Sequence, residues 1–178
     1  MKSHMGTPAD LRGVEIGSHA APQVGDPAPD FDLPVLRSGV KGRLRLRDEL
    51  KDKNVVLAFY PGNWEEVSAK QMAEYQDQRE RFKEQGAEVI GISVDSIMNT
   101  TVWERAIGPL EIPICSDFWP HGAVSNSYGV LRTEGVSRGK CERAIVLVSR
   151  AGTIMFRKGY GDAELPPIAE TWEALRAR

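Results

Sequence analysis

The sequence predicts an α/β fold in which a mixed central sheet is flanked by helices on both faces, and three observations carry that prediction. Val55 to Tyr60 (VVLAFY) is a continuously apolar run stopped by Pro61-Gly62, the pattern of a strand buried on both faces. Helical stretches then alternate with further apolar strands, Ala87 to Val94 (AEVIGISV) and Ile112 to Ser116, which implies parallel strands joined by helical crossovers. Arg143 to Ser149 and Thr153 to Arg157 flank Arg150-Ala151-Gly152, a β-hairpin that adds antiparallel strands. At 178 residues, 41% hydrophobic and 27% charged, the chain is expected to form one domain over residues 23–178.

Residues 1–22 mix Gly, Pro, Ser and Ala without a period and read as a flexible tail, whose opening Met-Lys-Ser-His, before Met5, has the look of a cloning remnant. Val24 to Pro34 follows as an extended lead-in, because Pro27, Pro29 and Pro34 fix φ and bias their predecessors away from helix. Leu44 and Leu46 alternate with Arg43, Arg45 and Arg47, the period of a short half-exposed strand. After the central strand, Glu65 to Gln85 reads as one helix with Ala69, Met72, Ala73 and Phe82 on its inner side, ended by Gly86. Ile97 to Ile107 is a second helix with Trp103 inward, stopped by Gly108-Pro109. A short helix over Ala123 to Tyr128 and a last one from Pro166-Pro167 through Leu175 complete the elements.

Several function classes fall away on composition. Lys plus Arg number 23 against 25 Asp plus Glu with no dense basic run, so nucleic acid is not an expected partner. No stretch approaches the roughly 20 apolar residues of a spanning helix, and no signal-peptide pattern opens the chain. The expectation is a cytoplasmic protein without a membrane partner. Cys115 and Cys141 are the two cysteines and are not in CxxC spacing, and the histidines are His4, His19 and His121. Neither a metal site nor a Ser-His catalytic pair is expected from such a set, and no cofactor is implied.

The turn after a central strand is where α/β proteins place their chemistry, which singles out Phe59 to Gln71 (FYPGNWEEVSAKQ). This segment resembles the active-site loop of the peroxiredoxins of the alkyl hydroperoxide reductase and thiol-specific antioxidant type. Their motif reads Pro-x-x-x-Thr/Ser-x-x-Cys, and the same positions here are Pro61, Glu65 and Ser68. VGDPAPDF, NVVLAFYP, EVIGISVD, HGAVSNSYGVLR and RAIVLVSRAGTI extend the resemblance from about Val24 to Tyr160. The resemblance implies a thioredoxin-like fold and a homodimer. It places Ser68 where the peroxide-reducing cysteine stands, Arg143 on the arginine that supports sulfur and peroxide, and Trp64, Glu66 and Val67 along the substrate pocket.

In such a site a helix N-terminus and an arginine lower the thiol pKa, and the thiolate attacks the peroxide O–O bond before a second thiol reduces the sulfenic acid. A serine hydroxyl can neither ionise comparably nor become a sulfenic acid. Activity is therefore expected to be absent or very weak, with hydroperoxide and thiol reductant as partners only if the site works. Changing the cysteine alone would have left a hydroxyl at position 65, so Glu65 beside Ser68 reads as natural divergence. Taken by themselves, Ser68 is a first-turn hydroxyl meeting a free N–H, and Glu65 and Glu66 are acids favoured by the helix dipole. The sharper expectation is that Glu65 faces Arg143 and fills the peroxide pocket. Cys115 reads as a small buried residue. Cys141, two residues before Arg143 in extended chain, is expected on the same side of the backbone, either as a displaced thiol near a cation or as a surface cysteine of no consequence.

Overall fold

The computed structural model describes residues 20–177, so most of the expected 1–22 tail, including Met1 to Met5, lies outside the described residues. Seven strands form one sheet: β1 (Asp32–Arg37), β2 (Val40–Arg45), β3 (Asn54–Phe59), β4 (Ala87–Ser93), β5 (Ile114–Ser116), β6 (Arg143–Val148) and β7 (Ile154–Tyr160). The helices are α1 (Leu46–Glu49), α2 (Glu66–Asp77), α3 (Arg79–Glu84), α4 (Ile97–Ile107), α5 (Ala123–Ser127) and α6 (Ile168–Arg176). Strand order is β2-β1-β5-β4-β3-β6-β7; β3, β4 and β5 run parallel and every other pairing is antiparallel.

Val55, Val56, Leu57, Ala58 and Phe59 of β3 are all fully buried, because alternate side chains feed two separate cores. Val55, Leu57 and Phe59 join Leu33, Leu44, Leu46, Tyr128 and Val146 on the face covered by α1 and α5. Val56 and Ala58 join Met72, Tyr75, Phe82, Trp103, Trp172 and Leu175 on the face covered by α2, α3, α4 and α6. Trp103 is core as expected, whereas Trp119 stands out in solvent on the loop after β5.

Three elements differ from the sequence reading. Leu44 and Leu46 do not share a strand: β2 ends at Arg45 and Leu46 opens α1, and the change of element carries both leucines into one core. Ahead of them Ser38 and Gly39 turn the chain at φ 49° and 75°, the left-handed pair that suits a two-residue hairpin, and so produce β1–β2. The long helix expected from Glu65 to Gln85 breaks at Gln78 (φ −95°, ψ 4°) into α2 and α3. The break has no Gly or Pro to announce it; Phe82 beyond it stacks on Trp172 with ring centroids 4.1 Å apart. No helix among the described residues is long and apolar enough to cross a membrane.

Candidate functional site

β3 delivers the chain to the site, and a short irregular stretch turns it into α2. Pro61 is buried directly after the strand. Asn63 is then held from every side: the Tyr60 hydroxyl donates to its Oδ1 (2.9 Å), and its Nδ2 donates to Asn99 Oδ1 (2.9 Å) and Thr100 Oγ1 (3.1 Å). Its backbone N–H donates to Asp95 Oδ2 at 2.8 Å. Trp64 takes a left-handed conformation at φ 64°, uncommon for a residue with a Cβ, and anchors its indole N–H on Asn99 Oδ1 at 3.2 Å. That turn leaves Glu65 extended (φ −106°, ψ 131°) as the N-cap of α2.

Glu65 is a cap with an unusual load. Its Oε1 accepts the Val67 N–H at 3.0 Å, while its Oε2 accepts the Ser68 N–H (2.7 Å), the Ser68 hydroxyl (2.5 Å) and Arg143 Nη2 (2.8 Å). Arg143, the first residue of β6, has no exposed side-chain surface. Its Nη1 donates to Gln71 Oε1 at 2.7 Å and to Ser68 Oγ at 3.3 Å, and its Nη2 also donates to the Asp162 carbonyl at 2.9 Å. The structure therefore brings Glu65, Ser68 and Arg143 together at the head of α2, with one carboxylate spanning backbone N–H groups, hydroxyl and guanidinium. Chemically this is a satisfied anion cage whose anion belongs to the protein.

Burial alone would raise the Glu65 carboxyl, but the hydrogen bonds from Ser68, from Arg143 and from the Val67 and Ser68 backbone hold it below its ordinary value of 4.5. A group with a depressed folded pKa contributes stability that is complete above the unfolded value and disappears as pH falls through the folded one. Acid titration of unfolding free energy should accordingly show a steeper loss below about pH 4.5 in the native chain than in Glu65→Gln. Parallel slopes in the two proteins would mean that the carboxylate has no such linkage.

The remaining expected site residues separate. Glu66 does not line the pocket: it points into solvent and pairs with Lys70 at 2.6 Å, one helical turn on, because its position on the helix faces away from β6. Val67 contributes its backbone N–H from a half-buried position, and Trp64 lies at the exposed rim. Cys141 is not a surface thiol and does not lie on Arg143's side. It packs with Ala144, Val146 and Tyr128 on the opposite face of the sheet, because Cys141 precedes β6 and pairs outside it with Leu131, so the strand's alternation does not extend back to it. Burial pushes its thiol up to about 12, and its sulfur meets Ser125 Oγ at 3.0 Å. Cys115 is fully buried in the same core, which likewise raises its thiol.

Two participants were absent from the sequence reading. Gln71 lies three residues after Ser68 on the same helical face, a spacing that would have nominated it. The Asp162 carbonyl is a backbone group on the loop after β7 and has no sequence signal. Beneath the cage, Gln71 Nε2, Tyr75 Oη and Arg143 Nε are buried without hydrogen-bond partners. Among the described residues no group of three or more His, Cys, Asp and Glu side chains is placed to hold a metal ion.

The AhpC/TSA family model matches residues 24–157. The chain is similar to the chloroplastic 2-cysteine peroxiredoxin of Chattonella marina var. antiqua, 34% identical over 138 residues that cover 74% of this chain and 68% of that protein. It is also similar to peroxiredoxin-2 of Pongo abelii, 33% identical over 160 residues that cover 86% and 85% of the two chains. Among solved structures, the reduced 2-Cys peroxiredoxin of Plasmodium vivax superposes with a TM-score of 0.79 at 25% identity, covering 86% of this chain and 80% of that one. Having a thioredoxin-like fold and a family match over most of its length, the chain belongs to the AhpC/TSA family of peroxiredoxins.

Proposed function

We propose that this protein descends from thiol peroxidases and has absent or very weak peroxidase activity, its former reaction pocket serving as a closed structural element. The observation that carries the reading is the convergence on a single oxygen, Glu65 Oε2, of the Ser68 hydroxyl, the Ser68 N–H and the Arg143 guanidinium. Those are the groups that would otherwise hold a reacting sulfur and a peroxide, and here they are engaged by a tethered carboxylate. Ser68 itself offers no sulfur to oxidise.

Purified protein given hydrogen peroxide or an organic hydroperoxide with a thiol reductant should consume peroxide no faster than its thiols react non-specifically. Rapid, saturable turnover would end the proposal, and turnover lost in Cys141→Ser would move the activity to that cysteine. The Cys141 alternative has less support, since a buried thiol pushed up to about 12 supplies almost no thiolate near neutrality. A second reading, a non-catalytic binding or interaction module that uses the old pocket or the dimer surface for a partner, is favoured by the exposed Trp64 at the rim of the old site.

A further inference from the structure

β2 opens the strand order and has β1 as its one neighbour among the described strands, so its outer side is a sheet edge. Leu46 N–H donates to the Phe31 carbonyl at 3.0 Å, and counting back along the antiparallel register from that bonded pair turns the main-chain groups of Leu44, Gly42 and Val40 toward β1. The N–H and C=O of Lys41 and Arg43 and the N–H of Arg45 therefore point outward, and no described residue pairs with them. The side chains of the same three residues share one face of the strand, and all are cations. Arg43 and Arg45 share a single carboxylate, Asp32, at 2.9 and 3.4 Å, while Lys41 meets Met98 Sδ at 3.1 Å and no carboxylate among the described residues. On the opposite face Val40 is 69% exposed, and a groove of about 300 Å³ opens beside it over Val35, Gly42 and the Arg37–Glu49 pair.

We propose that the outer edge of β2 takes up an extended segment of another protein in which acidic residues alternate with apolar ones, added to the sheet as a further strand. The main chain supplies the pairing, since the outward N–H and C=O groups are those a strand needs to join an edge. Charge supplies the first element of selection. Lys41, Arg43 and Arg45 recur every second residue, about 7 Å apart, the spacing at which one face of an incoming strand presents its own alternate side chains. The groove supplies the second. Gly42 leaves it open, because a Cβ at that position would meet only Val35 Cγ1, at 3.9 Å, so the residues between the acids can lay apolar side chains against Val40 and Val35.

Other occupants fit this edge less well. A second copy pairing β2 with β2 would bring cation against cation on the same face. A nucleic acid would satisfy the cations but has no use for the outward main-chain groups or the groove. An acidic strand answers all three features at once. The edge also stands apart from the Glu65–Arg143 cage, because β1, β5 and β4 separate β2 from the β3–β6 pair that carries the cage.

A fluorescent peptide of about nine residues alternating Glu and Val, titrated with the full chain, should bind with a Kd of roughly 10 to 100 µM at low salt. Raising the salt from about 0.05 to 0.3 M should weaken it at least about fivefold. Amide exchange at Lys41, Arg43 and Arg45 should slow at least about tenfold at saturation, because those N–H groups gain acceptors. Lys41→Glu, an exposed position, should weaken binding at least about tenfold with circular dichroism unchanged. N-methylation of the peptide amides that face the sheet, which leaves the protein untouched, should do the same. No binding at about 1 mM overturns the assignment, as does binding that protects none of the three edge amides or survives N-methylation. Equal affinity for a peptide of the same composition in scrambled order would show general attraction of a polyanion and would overturn it as well. None of these outcomes depends on peroxide turnover, so the edge site and the inactive-site reading fail separately.

Discussion

Glu65→Ala should destabilise the fold by about 3 kcal/mol, among the largest single-residue effects expected anywhere in this site. Arg143 is 0% exposed and has one carboxylate partner among the described residues, at 2.8 Å. Removing that partner leaves a full charge buried with only neutral acceptors, Gln71 Oε1, Ser68 Oγ and the Asp162 carbonyl. Loss of a partner from a buried pair costs roughly 3 to 5 kcal/mol, and the lower end applies because the Glu65 side is 36% exposed and water can enter when it is cut back. About 1 kcal/mol of the total reflects the lost N-cap, since the Val67 and Ser68 N–H groups lose their acceptor as well. Glu65→Gln retains an acceptor without the charge and should cost about half as much.

Urea unfolding of the native chain, Glu65→Ala, Arg143→Met and the double variant completes the test. The pair should show a coupling of about 1 to 3 kcal/mol, and additivity within about 0.5 kcal/mol would mean that the contact is energetically silent. The alanine variant permits a further check. Its vacated site keeps two backbone N–H groups and a guanidinium, so millimolar formate should raise its midpoint more than that of the native chain, and equal shifts would show that the cage has no affinity for a free carboxylate.

How much of this was legible in the sequence depended on whether a feature was local. β4 and α4 were readable from apolar runs and terminators; α4 begins at Ile97 and ends at Ile107 where Gly108-Pro109 stops it. Contacts between Glu65 and Arg143, 78 residues apart, were approachable only through the family positions of both, because no periodicity relates a helix cap to the first residue of a distant strand. Where the chain leaves regular structure the reading failed. Cys141 was assigned a side by strand alternation, but it precedes β6 and pairs with Leu131 outside the sheet. The family resemblance puts Glu66 along the pocket, yet consecutive positions on a helix diverge by about 100°, and that rotation carries it into solvent beside Lys70. Gln71 was the opposite case, a residue whose i,i+3 relation to Ser68 was available and unused.

The position of Gln71 also decides what would revive the chemistry. Ser68→Cys alone would put a sulfur where Ser68 Oγ now lies, 2.5 Å from a Glu65 oxygen, closer than the larger atom tolerates and beside a negative charge. Both effects oppose the thiolate, so the single variant's thiol should titrate at or above the free value of about 8.5 and form sulfenic acid slowly. Adding Glu65→Thr clears the pocket but strands the buried Arg143, and that double variant should be the least stable of the series. A third change, Gln71→Glu, supplies the missing charge from within the cage. Gln71 Oε1 already accepts from Arg143 Nη1 at 2.7 Å, while its Nε2 is a buried donor without an acceptor next to the equally unpartnered Tyr75 hydroxyl. A glutamate there presents acceptors to both, so Tyr75 gains a partner and Arg143 regains a carboxylate. Glu66 needs no change, because it is not in the pocket. The triple variant should recover about 2 kcal/mol over the double, and its thiol pKa should lie below that of Ser68→Cys, because the carboxylate oxygen at 2.5 Å is gone, but above that of the double, because the new carboxylate shares Arg143 Nη1 with position 68; sulfenic acid should form faster than in the single variant. Thiol alkylation against pH, sulfenic acid trapping and urea unfolding on the three proteins make the comparison. Equal reactivity in single and triple variants would show that Glu65 does not block the site, and a triple no more stable than the double would show that position 71 cannot take over the charge.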